Sequence, residues 1–150
     1  MSIRHLDRLL EPKSVAVVGA SDRVGSVGAT VWRNVRAGHF AGPIYAVNPK
    51  HATLDGDAVF ARTADLPQAP DLAVLCTPPE TVPSLIEALG RLGTRAAIVM
   101  TAGLSTAQKL ATLAAARPYL LRVLGPNCLG LLTPHLGLNA SFAHTDALPG

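Results

Sequence analysis

Ser14-Val15-Ala16-Val17-Val18-Gly19-Ala20-Ser21-Asp22-Arg23-Val24-Gly25-Ser26-Val27-Gly28 is the stretch on which the reading of this chain turns. Its first five residues are small and β-branched, the composition of a strand buried on both faces. Val27, Val31 and Val35 recur at four-residue spacing, which predicts a helix after the loop. Gly38 is placed to stop it. A strand that runs through glycines into a helix is a phosphate-binding arrangement. The helix start offers free N–H groups and a positive dipole end, and glycine lets the backbone approach an anion. A bare turn needs neither three glycines nor Ser21.

The same alternation continues along the chain. Strands are predicted over Pro43–Val47, Leu72–Cys76, Ala96–Met100 and Leu120–Leu124, with a short one near Val59. A short helix is predicted at Leu6–Leu10, closed by Pro12. A longer one carries Val82, Leu85, Ile86 and Leu89 on one stripe. Thr77-Pro78-Pro79-Glu80 has the form of a capping box, but Pro83 would then lie too deep, so the helix is placed from about Thr81. Ser105-Thr106-Ala107-Gln108 opens another helix, with Leu110 and Ala114 predicted to face inward and Pro118 to end it. Strands alternating with helices predict an α/β fold: three-layer, Rossmann-like and doubly wound, with a mainly parallel sheet and helices on both faces.

Every predicted strand ends in small or turn-forming residues: Gly19, Asn48-Pro49, Thr77-Pro78, Thr101-Ala102-Gly103 and Gly125-Pro126-Asn127. In an open parallel sheet these carboxyl ends share one side, and ligands bind in the crevice there. The glycine spacing is not that of a dinucleotide motif, because the gap from Gly19 to Gly25 is too long. A dinucleotide site usually places an acidic residue at the end of the second strand to hold ribose hydroxyls. Here that position reads Asn48-Pro49-Lys50. A lysine attracts a phosphorylated ribose, which points away from NAD and toward NADP or coenzyme A.

Composition narrows the class. Of the 150 residues, 49% are hydrophobic and 15% charged, which suits one well-buried domain and excludes a disordered tail. The net charge of +3 comes from scattered basic residues, so no nucleic-acid partner is expected. No apolar run approaches the ~20 residues of a membrane span, and the opening Met1-Ser2-Ile3-Arg4-His5 does not read as a signal peptide. The two cysteines, Cys76 and Cys128, form no CxxC pair, and no His/Cys grouping suggests a metal. A reducing, cytoplasmic location is expected. Domain organisation is read as a lead-in with its helix over 1–12, one binding domain over 13–142, and a linker over 143–150 toward a further domain.

Leu10-Glu11-Pro12-Lys13-Ser14 through Ser21, Val47-Asn48-Pro49-Lys50, Asp71-Leu72-Ala73-Val74, Thr101-Ala102-Gly103 and Gly125-Pro126-Asn127-Cys128-Leu129-Gly130 form a recognisable set. Together these segments resemble the nucleoside-diphosphate-forming acyl-CoA synthetases and the α subunit of succinyl-CoA synthetase. Gly137-Leu138-Asn139-Ala140-Ser141-Phe142 looks closest to bacterial protein lysine acetyltransferases, which fuse a synthetase-like region to a GNAT domain.

The resemblance implies a domain that binds coenzyme A or acyl-CoA and has the rest of a synthetase chain as its partner. Self-association is left open. It implies that Gly19, Ala20, Ser21, Asp22, Arg23, Val24 and Gly25 contact the phosphates and pantetheine. Asn48, Pro49 and Lys50 would lie at the adenine nucleotide end, and Thr77, Pro78, Met100, Thr101, Ala102 and Asn127 would line the remainder. Many relatives carry an acidic residue where this chain has Ala102. The synthetases use a phosphorylated histidine in another domain, and none of the five histidines here matches it, so no catalytic residue is assigned. A coenzyme A-sensing region of a lysine acetyltransferase and an NADP-dependent reductase domain are the alternative readings.

Overall fold

Val15, Ala16, Val17 and Val18 form the central strand β1 (Val15–Val18), and all four are buried. In the computed structural model, which describes residues 2–148, this strand is flanked by β2 (Ile44–Val47) and β5 (Leu72–Leu75), both parallel to it. Outward from β2 lie β4 (Asp57–Phe60), parallel to it, and the edge strand β3 (Thr53–Leu54), antiparallel to β4. Outward from β5 lie β6 (Ala96–Val99) and β7 (Arg122–Leu124). The order is β3-β4-β2-β1-β5-β6-β7. The chain leaves β1 toward one edge and later fills the other. That reversal is a topological switch point, and it lies between β1 and β5.

Alternation along the strands divides the core in two. Val15, Val17, Leu72, Val74 and Ile98 face one layer, built from α1 (Leu6–Leu10) and α2 (Val27–Ala37). Ala16, Val18, Leu75, Ala97 and Val99 face the other, built from α3 (Val82–Leu92) and α4 (Thr106–Ala116). Successive side chains of a strand point to opposite faces, so short apolar runs with no polar side are what such a middle layer requires. The predicted fold class is the observed one.

Local signals placed most helix ends correctly. Ser26 caps α2 by accepting from the Ala29 N–H at 3.1 Å, and Gly38 is its C-cap. The α3 helix starts after Thr81, preceded by a 3-10 turn over Pro79–Thr81, so Pro83 falls in the first turn where it is tolerated. Ser105 and Gln108 form a reciprocal capping box on α4.

Two expectations need correction. Leu110 and Ala114 face solvent, while Thr112 and Ala116 are the buried residues of α4. This helix is so rich in alanine and leucine that periodicity selects no face. Thr112 can be buried because its hydroxyl is satisfied by the Gln108 carbonyl at 2.8 Å. The last sheet strand begins at Arg122 and not at Leu120. Leu120 takes a left-handed conformation, and Leu121 donates to the Ala116 carbonyl, so both close α4. Residues 130–141, for which the sequence pattern predicts no element, form a hairpin, β8 (Gly130–Thr133) with β9 (Leu138–Ser141), packed on α2. Asn34 of α2 fixes it by donating to the Ser141 and Ala143 carbonyls, each at 2.9 Å. The expected linker carries no helix or strand through Leu148, and Pro149 and Gly150 lie outside the described residues.

Candidate functional site

The carboxyl ends of β2, β1, β5 and β6 open into a cleft of about 1200 Å³. That is somewhat above the range usual for small-molecule sites, roughly 300–1,000 Å³. It crosses the switch point, where the strand order predisposes an α/β sheet to hold a ligand.

The glycine loop forms the centre of the cleft. Gly19 has φ +91°, a conformation that side chains disfavour, and its N–H is held by the Val47 carbonyl at 2.8 Å. A Cβ at Gly19 would meet the Cys76 carbonyl oxygen at 2.8 Å. A Cβ at Gly28 would overlap the Gly19 carbonyl oxygen. Gly19 thus lets the end of β1 pass close to the end of β5, and Gly28 lets the start of α2 press directly against the end of β1, which aims the helix N-terminus into the cleft. The loop between them is tied to itself. Ser21 Oγ accepts from the Arg23 N–H at 3.0 Å, and Ser26 Oγ donates to the Arg23 carbonyl at 2.7 Å.

The neighbouring strand ends are cross-linked to this loop. The Asn48 side chain donates to the Ala20 carbonyl at 2.8 Å and accepts the Lys50 N–H at 2.9 Å. On the other side Thr101 donates to the Thr77 carbonyl at 2.7 Å, and Asn127 N–H reaches the Thr101 carbonyl at 3.0 Å. Thr77 Oγ1 accepts from Thr81 Oγ1 at 2.7 Å.

Of the residues predicted for the site, the fold brings Gly19, Ser21, Asp22, Arg23, Asn48, Pro49, Lys50, Thr77, Pro78, Met100, Thr101, Ala102 and Asn127 onto the cleft wall. Ala20, Val24 and Gly25 are not on it. Ala20 is fully buried in the core, with its carbonyl spent on Asn48. Val24 is 98% exposed at the loop tip, and Gly25, at φ +82°, supplies the turn beside it. The wall also holds Ser26, His51, Arg62, Thr63, Ser84 and Phe142, which the sequence reading had not assigned. Arg62 and Thr63 follow β4, so the rule that strand ends bear the site would have reached them had β4 been recognised as a parallel neighbour of β2. Phe142 arrives from the hairpin, and no local pattern marks it.

Charge is unevenly distributed. Lys50, His51 and Arg62 stand at the β2–β4 end, with Arg23 on the loop. Neither Lys50 nor Arg23 makes an ion pair with a described residue, and Asp22 approaches His51 only at 3.9 Å. The β5–β7 end is uncharged, with Cys76, Thr77, Met100, Thr101 and Asn127. Burial, with the Cys128 charge a smaller cause, pushes the Cys76 thiol up to about 12, so it is a neutral part of the floor and not a nucleophile at neutral pH. Burial likewise raises the Cys128 thiol. Among the described residues no group of three His, Cys, Asp or Glu side chains is placed to hold a metal, and no helix is long and apolar enough to cross a membrane.

A family whose profile is described as CoA binding domain matches residues 13–134. The chain belongs to this CoA-binding family. The domain is 37% identical over 144 residues to an ADP-forming acetate–CoA ligase of Archaeoglobus fulgidus, covering 92% of this chain and 21% of that protein. It is 43% identical over 135 residues to a trans-feruloyl-CoA synthase of an unknown prokaryotic organism, covering 86% of this chain and 19% of that one. Among solved structures, the dinucleotide-forming acetyl-coenzyme A synthetase 1 of Ca. Korarchaeum cryptofilum, in complex with phosphate and ADP, superposes with a TM-score of 0.90. There the identity is 35%, and the match covers 97% of this chain and 32% of that one. The CoA-binding domain thus spans about a fifth of the length of these two curated relatives.

Proposed function

We propose that this CoA-binding domain holds coenzyme A across the cleft and serves as the cofactor-binding part of an ADP-forming acyl-CoA synthetase. The polarity of the cleft carries the reading. A cationic end suits the phosphorylated adenosine, and the helix start with its glycine loop suits the diphosphate. The uncharged β5–β7 end suits pantetheine, whose amides can bond to Thr77, Thr101 and Asn127. The chemistry fits a ligand that is highly anionic at one end and neutral at the other.

The relatives support the same division of labour. They are named for acetate, ferulate and 4-hydroxybutyrate, three acids with little in common, and what they share is the CoA partner. The acid is therefore recognised elsewhere in the parent polypeptide. Its further synthetase domains are the expected partners, and the two free thiols fit a reducing cytoplasm.

Calorimetric titration with coenzyme A, NADP⁺ and NAD⁺ tests the proposal. Heat with coenzyme A alone, weakened by Lys50→Ala, is the expected result. Heat with NADP⁺ and none with coenzyme A at about 1 mM would overturn it.

A further inference from the structure

Arg62 lies on the cleft wall but belongs to none of the predicted motifs. Its position follows from strand pairing. β4 runs parallel to β2 with Phe60 opposite Val47, and Asn48 donates its N–H to the Phe60 carbonyl at 2.9 Å. The chain leaving β4 as Ala61-Arg62-Thr63 therefore emerges beside Asn48-Pro49-Lys50, and both segments line the same end of the cleft. Two cations from two different strands share that end.

The Arg62 guanidinium is held by Asp65. Nη2 donates to Oδ1 at 2.9 Å and Nε to Oδ2 at 3.3 Å. This is a pair three residues apart, with side chains 75% and 37% exposed. Ion pairs so open to water are weak and screened. A phosphomonoester carries more charge than a carboxylate and presents three acceptor oxygens, and the planar guanidinium fork fits it in a bidentate way. At the mouth of a cleft that already holds Lys50, such a phosphate would take Arg62 from Asp65.

We propose that Arg62 is a specificity-determining residue for the ribose phosphate of coenzyme A, exchanging Asp65 for that phosphate when the ligand enters and sharing it with Lys50. The proposal rests on the coenzyme A reading above. It makes Asp65 a built-in competitor that weakens binding of the phosphorylated ligand.

Titrations of the full 150-residue chain with coenzyme A and with 3′-dephospho-coenzyme A test this. Arg62→Ala should weaken coenzyme A about tenfold, the effect of losing a hydrogen bond to a charged group, and leave the dephospho compound unchanged. Asp65→Asn should tighten coenzyme A and leave the dephospho compound alone, an effect that a merely structural role for the pair would not produce. Arg62→Lys should recover part of the loss. If Arg62→Ala weakens both ligands alike, or neither, the role of Arg62 is refuted while the coenzyme A reading stands. If the wild-type chain binds neither ligand, the coenzyme A reading itself falls.

Discussion

Gly19→Ala is the sharpest test of how the cleft is built. The new Cβ would stand 2.8 Å from the Cys76 carbonyl oxygen, 3.0 Å from its carbonyl carbon and 3.1 Å from Thr77 Cγ2. Two of those atoms are backbone at the end of β5 and cannot rotate aside. Overpacking of this kind costs about 1–3 kcal/mol. The backbone conformation adds to it, since φ +91° costs a residue with a Cβ about 1–2 kcal/mol. Together the loss is about 2–5 kcal/mol, or roughly 10 °C of melting temperature for a domain of this size.

Gly25→Ala is the matched control. Gly25 has φ +82° but nothing within 4 Å of its Cβ position. It bears the conformational cost alone, about 1–2 kcal/mol. Thermal melts followed by circular dichroism at equal protein concentration measure both. Gly19→Ala must melt several degrees below Gly25→Ala. If the two melt together, the contact between β1 and β5 ends is not what demands glycine at position 19, and the account of the cleft centre fails.

Two further outcomes follow from the same geometry. Asn48→Ala removes the side chain that bridges the Ala20 carbonyl and the Lys50 N–H, so stability should fall by about 1–3 kcal/mol and coenzyme A affinity with it; unchanged urea midpoints would show the bridge to be idle. The raised Cys76 thiol makes stability depend on pH at the alkaline end. Its contribution is fully present below the unfolded-state value near 9.0 and is lost as pH rises toward the folded value of about 12, because the unfolded chain releases the proton first. Urea midpoints at pH 8 and pH 10 should therefore fall less in Cys76→Ala than in the wild type, and equal slopes would refute the assignment.

How far the chain was readable differs from element to element. β1, β5 and β6 were plain because a strand buried on both faces must be apolar at every position, and Val15–Val18, Leu72–Leu75 and Ala96–Val99 are. The start of α3 was readable because Pro83 allows only a first-turn position. By contrast, the orientation of α4 was not, since Leu110, Leu113 and Ala114 are as apolar as the residues it buries. The edge hairpin of β3 and β4 carried a local signal in Asp55-Gly56, both at positive φ, but its strands are too short to show a period. The β8–β9 hairpin has Pro134 and, at positive φ, Gly137 in its turn, but its strands too are short and its packing on α2 has no local mark.

The same boundary runs through the site. Glycines at 19 and 28, the Ser26 cap and the polar strand ends are local necessities. Backbone geometry, free helix N–H groups and the carboxyl ends of parallel strands impose them on whatever segment holds them, so they are written in the order of residues. Arg62 beside Lys50, and Phe142 brought in over α2, depend on which strands pair and on how a distant hairpin packs. The first is set by the hydrogen-bonded pairing of β4 with β2 and the second by the packing of a hairpin distant in sequence; neither leaves a periodic trace in the segments concerned, and only the assembled sheet brings them to one cleft.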